Sequence, residues 1–126
     1  MSKSVVYSPS APEPIGPYSQ AIQSGNTLFV SGQIAIERSS GNFITGNIPD
    51  ETTQVMKNLE AILSVAGMNF SNVVKCSIFL KDMNNFPVVN EVYGKYFSEN
   101  PPARETVEVS RLPKDANVEI SCIAVK

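Results

Sequence analysis

Apolar and polar residues alternate over two stretches near the N-terminus, and this pattern predicts a β-hairpin over residues 19–36. The strand-like stretches read AIQ and TLFVSGQIAI, and Gly25-Asn26 between them suits a tight turn that needs positive φ. Strict alternation divides the second strand into two faces, which are Leu28, Val30, Gly32, Ile34 and Ile36 on one side and Phe29, Ser31, Gln33 and Ala35 on the other. The segment before the hairpin, through Pro17, is rich in turn residues, and we expect it to lie over the surface.

The spacing of apolar residues then changes to a helical period and predicts a helix from about Pro49 to Ala66, with Gly67 at its stop. Its predicted core stripe consists of Val55, Leu59, Ile62 and Ala66, widened by Met56 and Leu63. A second helix is expected over about Asn85 to Ser98. Because both helices carry one apolar side, we expect both to pack on a sheet.

Alternation returns in NVVKCSIFLKD, where Val74, Cys76, Ile78 and Leu80 share a face. Two further strands are expected over about 104–110 and 117–125, joined by a loop that contains Pro113. The predicted order is therefore β-β-α-β-α-β-β. It describes a single α+β domain over residues 1–126, with one mixed β-sheet and two helices on one face.

The sheet face that the helices leave open carries apolar side chains. Phe29, Ile123 and Val125 fall on it, and such side chains are poorly placed in water. Burial against other copies of the chain is the simplest remedy, since symmetric homo-oligomers are common.

Composition excludes several kinds of chemistry. The 126 residues contain no histidine and two cysteines, which removes histidine-based triads, imidazole acid–base catalysis and a complete tetrahedral zinc site. The formal net charge is −2 without any run of basic residues, so we expect no nucleic-acid partner and no anionic-membrane partner. No stretch approaches the length of a membrane span, and the N-terminus resembles no signal peptide, which favours a cytoplasmic protein. Arginine, carboxylates, hydroxyls, amides and water remain as chemical groups.

The most informative stretch is PPARETVEVSRLPKDANVEI, residues 101–120. This stretch resembles the C-terminal signature of the RidA family (YjgF/YER057c/UK114), with matches at Pro102, Ala103, Arg104, Val107, Ser110, Leu112, Val118, Glu119 and Ile120. IGPYSQAI at 15–22, FVSGQI at 29–34 and NEVY at 90–93 also fit, in the expected order. One departure is Glu105, because the family usually carries a small or neutral residue at this position.

The resemblance implies a chorismate-mutase-like fold, a homotrimer with ligand clefts between subunits, and 2-iminobutanoate/2-iminopropanoate deaminase activity. Relatives of this kind hydrolyse reactive 2-imino and enamino acids, released by PLP-dependent dehydratases, to 2-oxo acids and ammonia. The implied reaction requires no metal and no organic cofactor. The alternative from another class is a non-catalytic binding module for small carboxylate metabolites.

Two residues are the candidate catalytic groups. Arg104 offers a rigid fork of donors that matches a carboxylate, although a surface ion pair with Glu105 is the structural alternative. Glu119 interrupts an apolar strand on the face of Ser121 and Ile123, where it can activate a water molecule or simply face solvent. In a strand Glu105 should point away from Arg104, and a local twist would instead let it compete with substrate.

Four further residues are candidate substrate contacts, each with a structural alternative. Gly32 admits close approach of a ligand to the backbone, or marks a β-bulge. Tyr18 lines a cleft or is an ordinary packed tyrosine. Thr106 shares a face with Arg104, or reflects β-propensity alone. Asn90 lies on one helical stripe with Phe86 and Tyr93 and points into a cleft or to solvent. Both cysteines are expected to be buried and inert.

Overall fold

A computed structural model of the chain describes residues 2–126. It contains six strands and two α-helices, which are β1 (Ser4–Val6), β2 (Ala21–Ser24), β3 (Thr27–Gln33), α1 (Ile48–Val65), β4 (Val73–Leu80), α2 (Phe86–Gly94), β5 (Ala103–Glu108) and β6 (Val118–Val125). One sheet holds all six strands in the order β1-β2-β3-β6-β4-β5. Strands β4 and β5 run parallel and the other pairs run antiparallel, so the predicted α+β class with a mixed sheet is confirmed.

The N-terminal segment differs from its prediction. Residues Ser4–Val6 form β1, which pairs with β2 at the edge of the sheet, so the observed order has one strand more than expected. Three residues are too few for an alternating pattern to be recognised in the sequence. The hairpin of β2 and β3 is confirmed, with Ser24 opposite Thr27 and a φ of 60° at Gly25 in the turn.

A β-bulge in β3 changes the predicted faces of that strand. The pairing with β6 shifts between Val30 and Gln33. Gln33 and Ala35 are consequently buried on the helix side, and Gly32 lies exposed on the open side, opposite to the prediction from strict alternation. One extra residue in a strand reverses the side on which every later side chain lies.

A second irregularity lies at the start of β4, where the pairing with β6 shifts between Val73 and Lys75. Val73 is buried and Val74 is 48% exposed, so the prediction that Val74 shares the buried face was wrong. Cys76 and the alternate residues after it are buried as expected.

Helix α1 agrees closely with its prediction. It begins at Ile48 after the N-cap Asn47, whose side chain accepts a hydrogen bond from the Asp50 N–H, and Gly67 follows it with a φ of 71°. All six residues of the predicted stripe are buried, namely Val55, Met56, Leu59, Ile62, Leu63 and Ala66. Across residues 2–126, neither helix is long and apolar enough to cross a membrane.

Helix α2 is shorter than predicted, since it ends at Gly94 rather than near Ser98. The residues beyond it leave the helix and pack as aromatic side chains: the ring centroids of Tyr93 and Phe97 are 4.8 Å apart, and those of Phe70 and Phe97 are 5.4 Å apart. Tertiary packing of these rings therefore overrides the local helical pattern.

The helices cover one face of the sheet, and the other face is open. The core between helices and sheet contains Leu28, Ile78, Leu80 and Ile120, each without exposed surface. On the open face Phe29 lies opposite Ile123, and Phe29 and Val125 remain 48% and 38% exposed. The apolar character predicted for this face is confirmed.

Candidate functional site

A groove of about 580 Å³ runs along the open side of the sheet and contains three of the predicted site residues, Tyr18, Gly32 and Glu119. Its other lining residues are Pro12, Glu13, Ile15, Gln20, Ser31, Gln33, Ile34, Ile36, Pro113 and Lys114. Two lining residues were not predicted as site residues, Ile15, which is 76% exposed, and Lys114, although each lies within one of the stretches that resemble the family.

Glu119 lies on β6 opposite Phe79 of β4, on the open side of the sheet. The partial burial of its carboxylate raises its pKa above the ordinary value of 4.5. A carboxyl group with a raised pKa exchanges protons more readily near neutral pH, which suits general acid–base chemistry.

Gly32 leaves the space that Glu119 occupies. A Cβ atom built on Gly32 would lie 2.8 Å from Cδ and 3.0 Å from Cγ of Glu119, and closer still to Oε2. Any side chain at position 32 would therefore displace this carboxylate. The bulge in β3 creates this contact, because it turns Gly32 to the open side.

Two polar side chains, the buried Gln20 and the half-buried Arg38, fix the N-terminal wall of the groove. Gln20 is 2% exposed; its Oε1 accepts a hydrogen bond from the Ser8 N–H at 2.6 Å, and its Nε2 donates to the carbonyl of Pro12 at 2.9 Å. Arg38 donates to the carbonyl of Ala11 at 2.7 Å and to Glu13 at 3.0 Å. The loop that carries Pro12 and Glu13 is thereby held against the sheet.

The opposite wall is fixed through the fully buried Glu51 of α1. Its two carboxylate oxygens accept hydrogen bonds from the backbone N–H and the Nδ2 of Asn117, both at 2.8 Å. Asn117 directly precedes β6, so this contact sets the position of the strand that carries Glu119.

Arg104 lies in a different cluster, on the helix side of the edge strand β5. Its Nη1 donates to Oδ1 of Asn90 at 2.7 Å, and its Cζ lies 5.4 Å from the ring centroid of Phe86 and 5.2 Å from that of Tyr93. The predicted stripe of Asn90 with Phe86 and Tyr93 on α2 thus faces the arginine. The two aromatic rings were not predicted as site residues.

Thr106 lies two residues beyond Arg104 on the same side of β5. Its hydroxyl is buried and has no hydrogen-bond partner among residues 2–126, and the same holds for the hydroxyl of Tyr93. A buried hydroxyl without a partner costs about 1–3 kcal/mol. Both groups border the arginine cluster, so it carries unused hydrogen-bonding capacity.

Glu105 points away from Arg104, as expected for neighbours in a strand. On the open side its carboxylate accepts a hydrogen bond from Ser77 and forms an ion pair with Lys75 at 3.0 Å. These contacts lower the pKa of Glu105 below 4.5, with the Ser77 hydrogen bond the largest cause and Lys75 next. Within one chain Glu105 therefore does not compete for the guanidinium of Arg104.

The predicted site residues form two groups on opposite sides of the sheet. Arg104 pairs in register with the buried Cys76, on the helix side, whereas Glu119 pairs with Phe79, on the open side. The groove that contains Glu119 is lined by neither Arg104 nor Asn90. Each group therefore contains only part of the single site that the sequence predicted.

The cysteines are buried on the helix side of β4 and β6, where Cys76 lies opposite Cys122. Burial raises the pKa of both thiols, to about 12 for Cys122. Such thiols carry little thiolate at neutral pH, which agrees with the expectation that they are inert.

The six-stranded mixed sheet with two helices on one face places the chain in a class of small α+β proteins. Within this class, the chain belongs to the family described as Endoribonuclease L-PSP, whose model matches residues 8–126. The resemblance to the RidA (YjgF) family is thereby confirmed.

Two relatives align with nearly all of the chain. The chain is 53% identical to a RutC family protein of Pyrococcus horikoshii, over 98% of both chains. It is 46% identical to the 2-iminobutanoate/2-iminopropanoate deaminase of Dermatophagoides farinae, over 98% of this chain and 96% of the relative.

Solved structures support the fold assignment. The YjgF gene product of E. coli superposes with a TM-score of 0.92 at 39% identity, over 98% of each chain. E. coli TdcF, solved with bound serine, superposes with a TM-score of 0.93 at 35% identity, again over 98% of each chain. The expected chorismate-mutase-like α+β fold is confirmed.

Proposed function

We propose that this chain is a cytoplasmic 2-iminobutanoate/2-iminopropanoate deaminase whose active site is built by two copies of the chain in a homotrimer. The reaction is the hydrolysis of reactive 2-imino and enamino acids to 2-oxo acids and ammonia. The observation that carries the proposal is the separation of Arg104 from Glu119 by the sheet, with complementary chemistry on the two sides.

Arg104 is the group that binds the substrate carboxylate. Its Nη1 is occupied by Asn90, while Nε and Nη2 have no hydrogen-bond partner among residues 2–126. These two nitrogens lie on one edge of the guanidinium and match the two oxygens of a carboxylate. Thr106 lies on the same side of β5 and contributes its free hydroxyl next to that carboxylate.

Glu119 is the acid–base group at the other end of the substrate. Its carboxylate accepts a proton from the water molecule that attacks the C=N carbon and passes this proton to the imine nitrogen, which gives a carbinolamine. It then accepts the proton of the carbinolamine hydroxyl and passes it to nitrogen as the C–N bond breaks, so that ammonia leaves and the oxygen becomes the carbonyl of the 2-oxo acid. Gly32 gives the substrate close access to this carboxylate, and Tyr18 borders the groove.

Assembly through the open face explains how the two groups meet. The apolar side chains of this face lie on the same side of the sheet as the groove of Glu119, so we expect a second copy that covers them to border the groove as well. Imines hydrolyse unaided, so carboxylate binding plus one acid–base group gives a useful acceleration. The deaminase name of the mite relative, at 46% identity, agrees with this chemistry.

The first experiment measures turnover in an assay coupled to a PLP-dependent threonine dehydratase, which generates 2-iminobutanoate. Arg104→Ala is expected to remove the acceleration over spontaneous hydrolysis while the oligomer persists, and Arg104→Lys should recover little, since lysine lacks the fork. Glu105→Ser is the matched control on the neighbouring residue and should retain turnover. Wild-type turnover in Arg104→Ala would contradict the assignment.

The second experiment mixes two inactive variants, Arg104→Ala and Glu119→Gln, after joint unfolding and refolding. If each site takes Arg104 from one copy and Glu119 from the next, about a quarter of the sites in an equal, random mixture combine both wild-type residues. Recovery of roughly a quarter of the wild-type rate supports the shared site. A mixture that stays inactive while the oligomers exchange subunits would refute it.

A non-catalytic module that binds small carboxylates is the second candidate, and the serine bound to the related TdcF favours it. Such a protein would bind 2-oxobutanoate through Arg104 without accelerating hydrolysis of the imine. The coupled assay separates the two candidates, because only the deaminase shortens the lifetime of 2-iminobutanoate.

A further inference from the structure

Helix α2 surrounds Arg104 with more than Asn90, whose side-chain oxygen accepts a hydrogen bond from it. Arg104 is exposed and lies on an edge strand, where a free arginine side chain samples many rotamers. Its guanidinium nevertheless lies within cation–π distance of two aromatic rings, 5.4 Å from Phe86 and 5.2 Å from Tyr93. Residues 86, 90 and 93 share one stripe of α2, so a single helix supplies all three contacts.

We infer that Phe86 and Tyr93 are positioning residues, whose rings hold the guanidinium of Arg104 in the orientation that receives the substrate carboxylate. This inference rests on the role proposed above for Arg104. The rings occupy no edge of the guanidinium, so they restrict its motion and leave the Nε and Nη2 donors free for ligand. Asn90 occupies Nη1 and fixes which edge remains free.

The two rings differ in how firmly the protein holds them. Tyr93 is 5% exposed, and its ring packs on Phe97, which in turn packs on Phe70. Phe86 is half-buried at the start of α2. Tyr93 therefore provides a fixed surface that belongs to the core, against which an otherwise mobile side chain is held.

The hydroxyl of Tyr93 does not explain why the ring is there. It is buried and makes no hydrogen bond of ordinary geometry among residues 2–126, and its nearest polar neighbour is the weakly hydrogen-bonding thiol of Cys76. A phenylalanine would fill the same space without an unpaired hydroxyl. The positioning role is accordingly assigned to the ring, and replacement by phenylalanine should preserve it.

Positioning predicts a specific kinetic pattern. An arginine that is ordered before binding loses less conformational freedom when the carboxylate arrives, so removal of the rings weakens binding more than it slows chemistry. Phe86→Leu and Tyr93→Leu should each raise KM for 2-iminobutanoate, and Kd for 2-oxobutanoate, roughly five- to tenfold. The value of kcat should stay within about twofold, because Glu119 is untouched.

The experiment measures Kd for 2-oxobutanoate by titration calorimetry, together with KM, kcat and melting temperature, for five forms of the full chain. Besides wild type and the two leucine variants, Tyr93→Phe tests rescue by the conservative change, and it should recover most of the lost affinity. Tyr96→Leu is the matched control, because Tyr96 packs on Phe70 in the same aromatic cluster and has no cation–π contact with Arg104.

The outcomes are distinct. Wild-type Kd in both Phe86→Leu and Tyr93→Leu would overturn the inference, as would an equal loss of affinity in Tyr96→Leu, because the effect would then be general destabilisation. If Tyr93→Leu does not fold, Phe86→Leu decides alone. A wild-type chain without turnover, whose 2-oxobutanoate binding still weakens in the ring variants, would refute the deaminase function and leave the positioning role standing.

Discussion

Replacement of Gly32 by alanine tests whether the position of Glu119 matters for chemistry rather than for folding. The new Cβ would lie 2.8 Å from Cδ and 3.0 Å from Cγ of Glu119, whereas ordinary contacts of a Cβ atom begin at 3.4 Å. The paired residues Val30 and Gln33 hold β3 on either side of the bulge, and the glutamate side chain is flexible, so we expect the side chain to move. It must retreat by about 0.5–1 Å, and a displacement of about 1 Å from the reacting atoms costs on the order of 10²-fold in rate.

The expected effect on stability is small. Gly32 is not among the glycines with positive φ, so alanine fits its backbone conformation. The lower entropy of the unfolded chain contributes about 0.4–1 kcal/mol in favour of folding. An off-rotamer glutamate costs about 0.5–1.5 kcal/mol, so the two terms nearly cancel.

The assay measures kcat for 2-iminobutanoate hydrolysis and the free energy of unfolding in urea for wild type, Gly32→Ala and Gly46→Ala. Gly46 is the matched control, because a Cβ there would meet no atom within 4 Å. We expect Gly32→Ala to lose roughly 30- to 100-fold in kcat with unfolding free energy within about 1 kcal/mol of wild type. A folded Gly32→Ala protein with wild-type kcat would refute the reasoning, because Glu119 would then act equally well after displacement.

Three further predictions concern acidity, stability and assembly. Burial raises the pKa of Glu119 in the fold above 4.5, so its carboxyl stabilises the fold at low pH and this contribution is lost as pH rises through the folded pKa. The melting temperature of Glu119→Gln should therefore be higher than that of wild type at pH 7 and equal to it near pH 4. A lower melting temperature of the variant at pH 7 would contradict this. Glu51→Gln should lower the free energy of unfolding in urea by about 1–3 kcal/mol, because the new amide N–H group faces an N–H donor of Asn117. A decrease of less than about 0.5 kcal/mol would contradict this prediction. Phe29→Asp should yield monomers in analytical ultracentrifugation while Val65→Asp, at an equally exposed apolar residue on α1, keeps the oligomer; an unchanged mass for Phe29→Asp would place the interface elsewhere.

The long elements of the fold are predictable from the sequence because many residues carry the same signal. In α1 six apolar positions repeat with the helical period, and Gly67 supplies the positive φ at its end. The hairpin was equally clear, since Gly25 supplies the positive φ at its turn. In each case an error at one residue would leave the pattern intact.

The features that were not predicted depend on one to three residues. The bulge between Val30 and Gln33 inserts a single residue without changing composition, so no period reveals it. Strand β1 has three residues, and α2 ends early because Phe97 packs with its aromatic neighbours rather than continuing the helix. The bulge is the most consequential omission, since it turns Gly32 toward Glu119.

The candidate site was predicted residue by residue but not as an arrangement. Helical spacing placed Asn90 on the stripe that faces Arg104, and alternation placed Glu105 on the opposite side of β5. Alternation shows which residues of one strand share a side, but it does not show which sides of two different strands coincide. Only the order of strands in the sheet relates the sides of β5 to those of β6. That order places β4 between them, with Arg104 on the helix side and Glu119 on the open side.

The division of the proposed site between two sides of the sheet gives the open face a role beyond assembly. In an isolated chain both Arg104 and the groove of Glu119 face water. Two opposite unit charges 4 Å apart in water attract each other by about 1 kcal/mol. A second copy that covers the groove removes water from between the two half-sites. The attraction between the same two charges is then several times stronger, because the effective dielectric constant falls to about 20. The exposed apolar residues Phe29 and Val125 would then stabilise the assembly that excludes this water. On this reasoning an isolated chain lacks both the second half-site and the low-dielectric cleft, and each loss alone would suppress turnover.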